Sequence, residues 1–187
     1  MPENKKILIR IVIFSICFAV FYGWLLPHFD VSNLQLKIIP LDLMLSYQST
    51  DVSRLFSMIG VQGMNQYYRF IVVDNFYIVV YCGLMYYILK YLEQNTGRFG
   101  KIITGVRWLP MLVGLTDFIE NLNTYVLLNK FPEISDKAVK FASAITTTKW
   151  YAAAFVVGFI VCFIFFMILR NVSWKLKQGS THTNDNS

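Results

Sequence analysis

Histidine, cysteine and charge are all scarce in this sequence. The two histidines among 187 residues, His28 and His182, fall in a connecting loop and a polar tail, which excludes a histidine metal centre and a histidine-based catalytic dyad. The three cysteines, Cys17, Cys82 and Cys162, sit singly within apolar stretches. An odd number so placed argues against a disulfide framework or a thiolate metal site, and each reads as a small packing residue. Phosphate loops, serine elbows, zinc spacings and paired thiols are missing, so no cofactor is expected. Charged residues make up 15% of the chain, against ~25% in ordinary soluble domains. The absence of an internal repeat argues against an inverted-repeat transporter.

Hydrocarbon fills the space. The chain is 56% hydrophobic with a mean hydropathy of +0.49, and four stretches reach the ~20 apolar residues that cross a bilayer core. They are 7–26, 70–89, 102–128 and 150–169. The expected fold class is an all-α membrane protein, a four-helix transmembrane bundle forming one domain over residues 1–172, with a disordered tail over 173–187. The first stretch has the basic start of a signal peptide, but its exit from Tyr22 to Pro27 offers no small-residue cleavage site. It is therefore expected to stay as an anchor.

The net charge of +6 reads as a topology signal. Lys5, Lys6, Arg10, Lys90, Arg98, Lys101, Arg107, Arg170, Lys175 and Lys177 flank one side of the four spans. The seven other basic residues lie on the opposite side, offset by Asp30, Asp42, Asp51, Glu133 and Asp136. The positive-inside rule then places both termini in the cytoplasm of a bacterial-type cell. Membrane lipids, with anionic headgroups at the basic side, are the expected partners, and nucleic acid is not. A homo-oligomer or a partner membrane subunit is compatible with the sequence. Trp24 and Trp150 near one boundary and Trp174 near the other fit an aromatic belt.

Residues 30–66 are expected to form an extracytoplasmic cap. Leu34, Leu36 and Ile38 alternate with polar residues, as do Leu41, Leu43, Leu45 and Tyr47 beyond Pro40, which predicts short extended pieces. Val52, Leu55, Phe56 and Ile59 make a helical stripe, capped by Ser49 or Thr50 and ended by Gly60. A separate short helix is expected over 135–144.

Polar residues inside the spans carry the functional argument. Asp74 lies in the second span and Asp117, Glu120 and Asn121 in the third, while Lys149 opens the fourth. A carboxylate at mid-bilayer costs roughly 2.5–3.5 kcal/mol on insertion scales, so these acids require a protein interior, a wet pocket or a proton. Helical spacing puts Gly114, Asp117, Asn121 and Thr124 on one stripe, with Glu120 beside Asp117. Tyr67, Asp74, Tyr77 and Tyr81 form a matching stripe. All fall at a similar depth, and Pro110 with Gly114 predicts a kink that turns the acidic segment inward. Three carboxylates in one low-dielectric neighbourhood cannot all ionise cheaply beside Lys149 and Arg69. Such a cluster can pass protons, bind a cation or act as a general acid and base. It can also simply pair with Lys149, Arg69 and the tyrosines to fix helix positions, and the sequence leaves both readings open.

The chain resembles a group of small four-span integral membrane proteins that carry no assigned activity. The resemblance runs through Leu41-Asp42-Leu43, Ile59-Gly60, Asp74-Asn75-Phe76, Leu109-Pro110 leading to the run from Gly114 to Asn121, and Ala142-Ser143-Ala144 with Thr146 and Lys149-Trp150. It covers residues 40–155 and implies the four-helix membrane architecture alone. The leading functional expectation is a pocket for a polar or cationic lipid-like group. Asp74, Asp117 and Glu120 would accept, Lys149 would balance them, Asn121 would orient the ligand, and Tyr77 and Tyr81 would flank it. The alternatives are a lipid-modifying enzyme using paired carboxyls and proton-coupled transport by an oligomer.

Overall fold

A computed structural model describes the backbone of residues 2–31 and 39–184; the side chains of Arg98 and 171–184 lie outside what it describes. Among the described residues every regular element is helical. Four helical segments, Glu3–Phe29, Ser49–Asn95, Gly100–Lys130 and Asp136–Arg170, are long and apolar enough to cross a membrane. The protein is an integral membrane helix bundle.

The first segment begins as α1 (Glu3–Val20), widens into a π-helical turn (Phe21–Leu25) and ends as α2 (Leu26–Phe29). Pro27 accounts for the widening, because it has no N–H to offer the carbonyl one turn back. The Leu26 N–H reaches instead to Phe21 O, five residues away, which is the π-helical pattern. Beyond it, residues 32–38 lie outside the described set, and with them the expected Leu34–Leu36–Ile38 alternation.

The extended piece expected after Pro40 is a 3-10 turn, Leu41–Leu43. Pro40 fixes the entry, and its carbonyl accepts from Leu43 N at 3.1 Å. The turn drives Leu41 into the core while leaving Leu43 and Leu45 exposed.

The cap helix expected to end at Gly60 is the first part of α3 (Ser49–Asn95). Its buried stripe is the expected one, Val52, Leu55, Phe56 and Ile59. The cap residue differs: Gln48 and Asp51 close a reciprocal box, with Gln48 N donating to Asp51 Oδ2 at 2.8 Å. Ser49 Oγ donates instead to Asp136 Oδ1. At Gly60 (φ 59, ψ −169) the helix kinks and resumes as the second span. This region of backbone space is essentially reserved for glycine and costs other residues about 1–3 kcal/mol. No atom lies within 4 Å of where a Cβ would stand, so the conformational cost acts alone. Gly60→Ala is expected to lower the thermal midpoint of the detergent-solubilised protein by that amount of stability, and an unchanged midpoint would contradict the kink.

The third span is two helices. α4 (Gly100–Val106) and α5 (Leu109–Lys130) meet at a turn over Arg107 and Trp108, with Pro110 in the first turn of α5. The kink expected inside the span is therefore its break point, as suits a residue that favours helix starts. The short helix expected over 135–144 is the start of α6 (Asp136–Asn184). Ser135 Oγ accepts from Ala138 N at 3.2 Å, and no proline follows to interrupt the helix. Its backbone also continues through 173–184, where a disordered tail was expected.

α1 packs along α3, α3 on α5, and α5 on α6, while α1 and α6 make no comparable contact. The ring of spans is thus open on one side. Two apolar clusters hold it. One joins the cap to the adjoining helix ends through Leu41, Tyr47, Phe56, Tyr67, Leu127 and Val139. The other, around Ile78, Leu89, Ile103, Val113 and Val156, fills the opposite half.

Candidate binding cavity

A cavity of about 580 Å³ lies between the open edges of the ring, just beneath the cap. Phe18, Tyr22, Leu26 and Pro27 wall it on one side, and Lys149, Trp150 and Ala153 on the other. α3 supplies Asp74, Tyr77 and Tyr81 to its floor and α5 supplies Asp117.

Close helix approach makes this floor possible. A Cβ on Gly114 would run into Cys82 Sγ and meet Ile78 Cγ2 at 3.0 Å, so only glycine lets α5 lie this near α3. One turn on, Asp117 then comes within reach of α3, and Tyr81 OH donates to Asp117 Oδ2 at 2.8 Å. One turn further Asn121 Nδ2 donates to Asp74 Oδ2 at 2.8 Å and to Asn75 Oδ1 at 3.1 Å. Tyr77 stands edge-on to Tyr81, with ring centroids 5.4 Å apart.

Lys149 is the hub. Its ammonium pairs with Asp117 Oδ1 at 3.3 Å and with Glu120 Oε2, donates to Asp42 O at 3.4 Å, and lies 5.2 Å from the centroid of the Trp150 ring. Glu120 is 1% exposed and Lys149 9%, so the pairing takes place away from water. Behind it Thr146 is fully buried, and its hydroxyl lies 3.4 Å from Tyr47 OH.

The residues singled out in the sequence thus fall together: Asp117, Glu120 and Lys149 as one ionic group, Asp74 and Asn121 as a hydrogen-bonded pair, and Tyr77 and Tyr81 beside both. Arg69 does not join them; its side chain is exposed, and no ion pair links it to an acid among the described residues.

Asp42 is the site residue that sequence reasoning did not assign. Its carbonyl accepts from Lys149 and from Trp150 Nε1, the latter at 3.1 Å. Its carboxyl accepts from Tyr67 OH at 3.1 Å, and the same hydroxyl accepts from Leu41 N at 3.1 Å. A single acid between two leucines after a proline was the available signal. Burial pushes the Asp42 carboxyl above its usual range, with Lys149 drawing it partly back. The same effect takes the Tyr47 hydroxyl up to about 12. A carboxyl raised on folding contributes stability below its unfolded pKa and loses it as pH rises through the folded value. Asp42→Asn keeps an acceptor for Tyr67 and removes that titration. Its thermal midpoint is expected to match or exceed the parent's near neutral pH, with a flatter acid-side pH slope. Asp42→Ala, which removes the acceptor, should fall below the parent.

The fold and the cavity define the class of protein: an integral membrane four-helix bundle with a carboxylate-rich chamber among its spans. No family model, curated protein or solved structure matches the chain.

Proposed function

We propose that this is a binding or helper protein whose cavity receives the cationic group of a lipid-like molecule. The observation that carries this reading is Asp74. It sits in the cavity wall within a membrane span and has an amide donor on Oδ2, but no cation pairs with it among the described residues. A carboxylate so placed takes up a proton or meets a cation from outside. The surrounding charge favours the second: Asp42, Asp74, Asp117 and Glu120 stand around the single ammonium of Lys149. The gap between α1 and α6 gives such a molecule a route in from the side. With both termini cytoplasmic, the chamber serves the extracytoplasmic leaflet.

The test is native mass spectrometry of the protein extracted in a mild detergent. A basic amphiphile should be retained by the parent and lost from Asp74→Asn, with both proteins folded. Identical spectra for the two would overturn the reading. A lipid-modifying enzyme would behave differently, since Glu120→Gln would then abolish conversion of a precursor that accumulates in cells lacking the protein. Asp117 pairs with Tyr81 and with Lys149, and Glu120 pairs with Lys149 through Oε2, so both share a cation that Asp74 lacks, which favours binding at Asp74 over acid–base chemistry at the pair.

A further inference from the structure

The cavity holds an ammonium of its own, and the way it does so defines what the empty part can take. Lys149 carries three N–H donors, and it is met by three oxygens, from Asp117, Glu120 and the Asp42 carbonyl. The half of the cavity around Asp74 is built differently. Asp117 Oδ2 is taken by Tyr81 OH and Asp74 Oδ2 by Asn121. Asp74 Oδ1 remains, in a cavity that aromatic rings also line. Phe18 and Tyr77 lie 5.4 Å apart and Phe18 stacks on Tyr22 at 5.8 Å. Tyr77 meets Tyr81 at 5.4 Å, so these four rings form a continuous wall.

One carboxylate oxygen and several ring faces suit a cation without N–H donors. A primary ammonium placed there would have one carboxylate oxygen, Asp74 Oδ1, and only the neutral hydroxyls of Tyr22 and Tyr77 for its other donors, and any donor left unmet carries a desolvation cost. An alkylated ammonium spreads its charge over methyl groups, which pack on aromatic faces and are drawn to their negative quadrupoles. We infer that the cation bound beside Asp74 is a fully alkylated ammonium, of the trimethylammonium kind, carried by an amphiphile whose chain leaves through the gap between α1 and α6. This deepens the proposed function and rests on it. Leu26 and Pro27 on one wall and Ala153 on the other add hydrocarbon to the cavity lining.

The experiment titrates the full-length protein, in a nonionic maltoside detergent, with dodecyltrimethylammonium and with dodecylammonium, reading bound ligand by native mass spectrometry. The trimethyl form should bind about tenfold tighter. Tyr77→Phe, which keeps the ring and removes the hydroxyl, should retain that preference. Tyr77→Leu and, separately, Phe18→Leu should bring the two ligands close to parity, each at a thermal midpoint near the parent's. Equal or tighter binding of dodecylammonium to the parent overturns the inference while leaving the cationic cavity standing. Failure of both ligands to bind, or binding indifferent to Asp74→Asn, overturns the cavity reading and this inference together. Displacement of dodecyltrimethylammonium by dodecylphosphocholine identifies a choline-lipid headgroup as the source. Its retention identifies a net-cationic amphiphile, and either result supports the inference.

Discussion

Lys149→Met is expected to destabilise the protein more than any other single change considered. The substitution keeps the apolar stem and deletes the ammonium that faces Asp117, Glu120 and the Asp42 carbonyl. Removing one member of a buried ionic group typically costs about 3–5 kcal/mol, because the charge left behind has lost both water and partner. Here two acids on α5 lose the same cation, and the Asp42 carbonyl loses one of its two donors on α6, leaving the Trp150 indole. For a chain of this size each kcal/mol moves the midpoint by roughly 2–4 °C, so a drop of about 10 °C is expected in detergent. Lys149→Met combined with Glu120→Gln should recover part of the loss, since fewer charges then lack a partner. A midpoint for the single variant within about 2 °C of the parent, roughly half a kcal/mol, would mean that the group contributes nothing.

Asp74→Asn should show the opposite profile, with a large effect on binding and a small one on stability. Asparagine can still accept from Asn121 through its carbonyl oxygen, so the link between α3 and α5 survives. What disappears is the charge at the cavity wall. Charged contacts in desolvated sites are worth about 2–5 kcal/mol when one partner is truncated, so retention of a cationic amphiphile should fall by roughly 100-fold or more. Thermal melts with and without dodecyltrimethylammonium check this directly, because a ligand that binds only the folded state raises the midpoint. The parent should shift and Asp74→Asn should not. A shared shift would place the cation elsewhere.

The contrast between these two variants shows what the sequence could disclose. Acids in apolar helices are visible because the membrane makes charge expensive, and helical spacing then assigns Asp117, Asn121 and Asp74 to facing stripes. The buried stripe from Val52 to Ile59 was legible for the same periodic reason. Division of labour among the acids was not. Only the approach of α5 to α3 at Gly114, and the reach of Lys149 from α6, decides that Asp117 and Glu120 share a cation while Asp74 has none among the described residues. Asp42 escaped because it belongs to a 3-10 turn, whose period of three does not stand out in so short a segment. The unbroken length of α6 was missed where Pro132 and Ser135 suggested a connection with its own helix. The chain in fact restarts once, at Asp136, and meets no proline afterwards.

That length has a mechanical corollary. A rod rising 1.5 Å per residue extends roughly 50 Å from Lys149 to Asn184, with its fulcrum fixed by ions and indole at one end. Any small difference in tilt at that anchor is multiplied along the shaft.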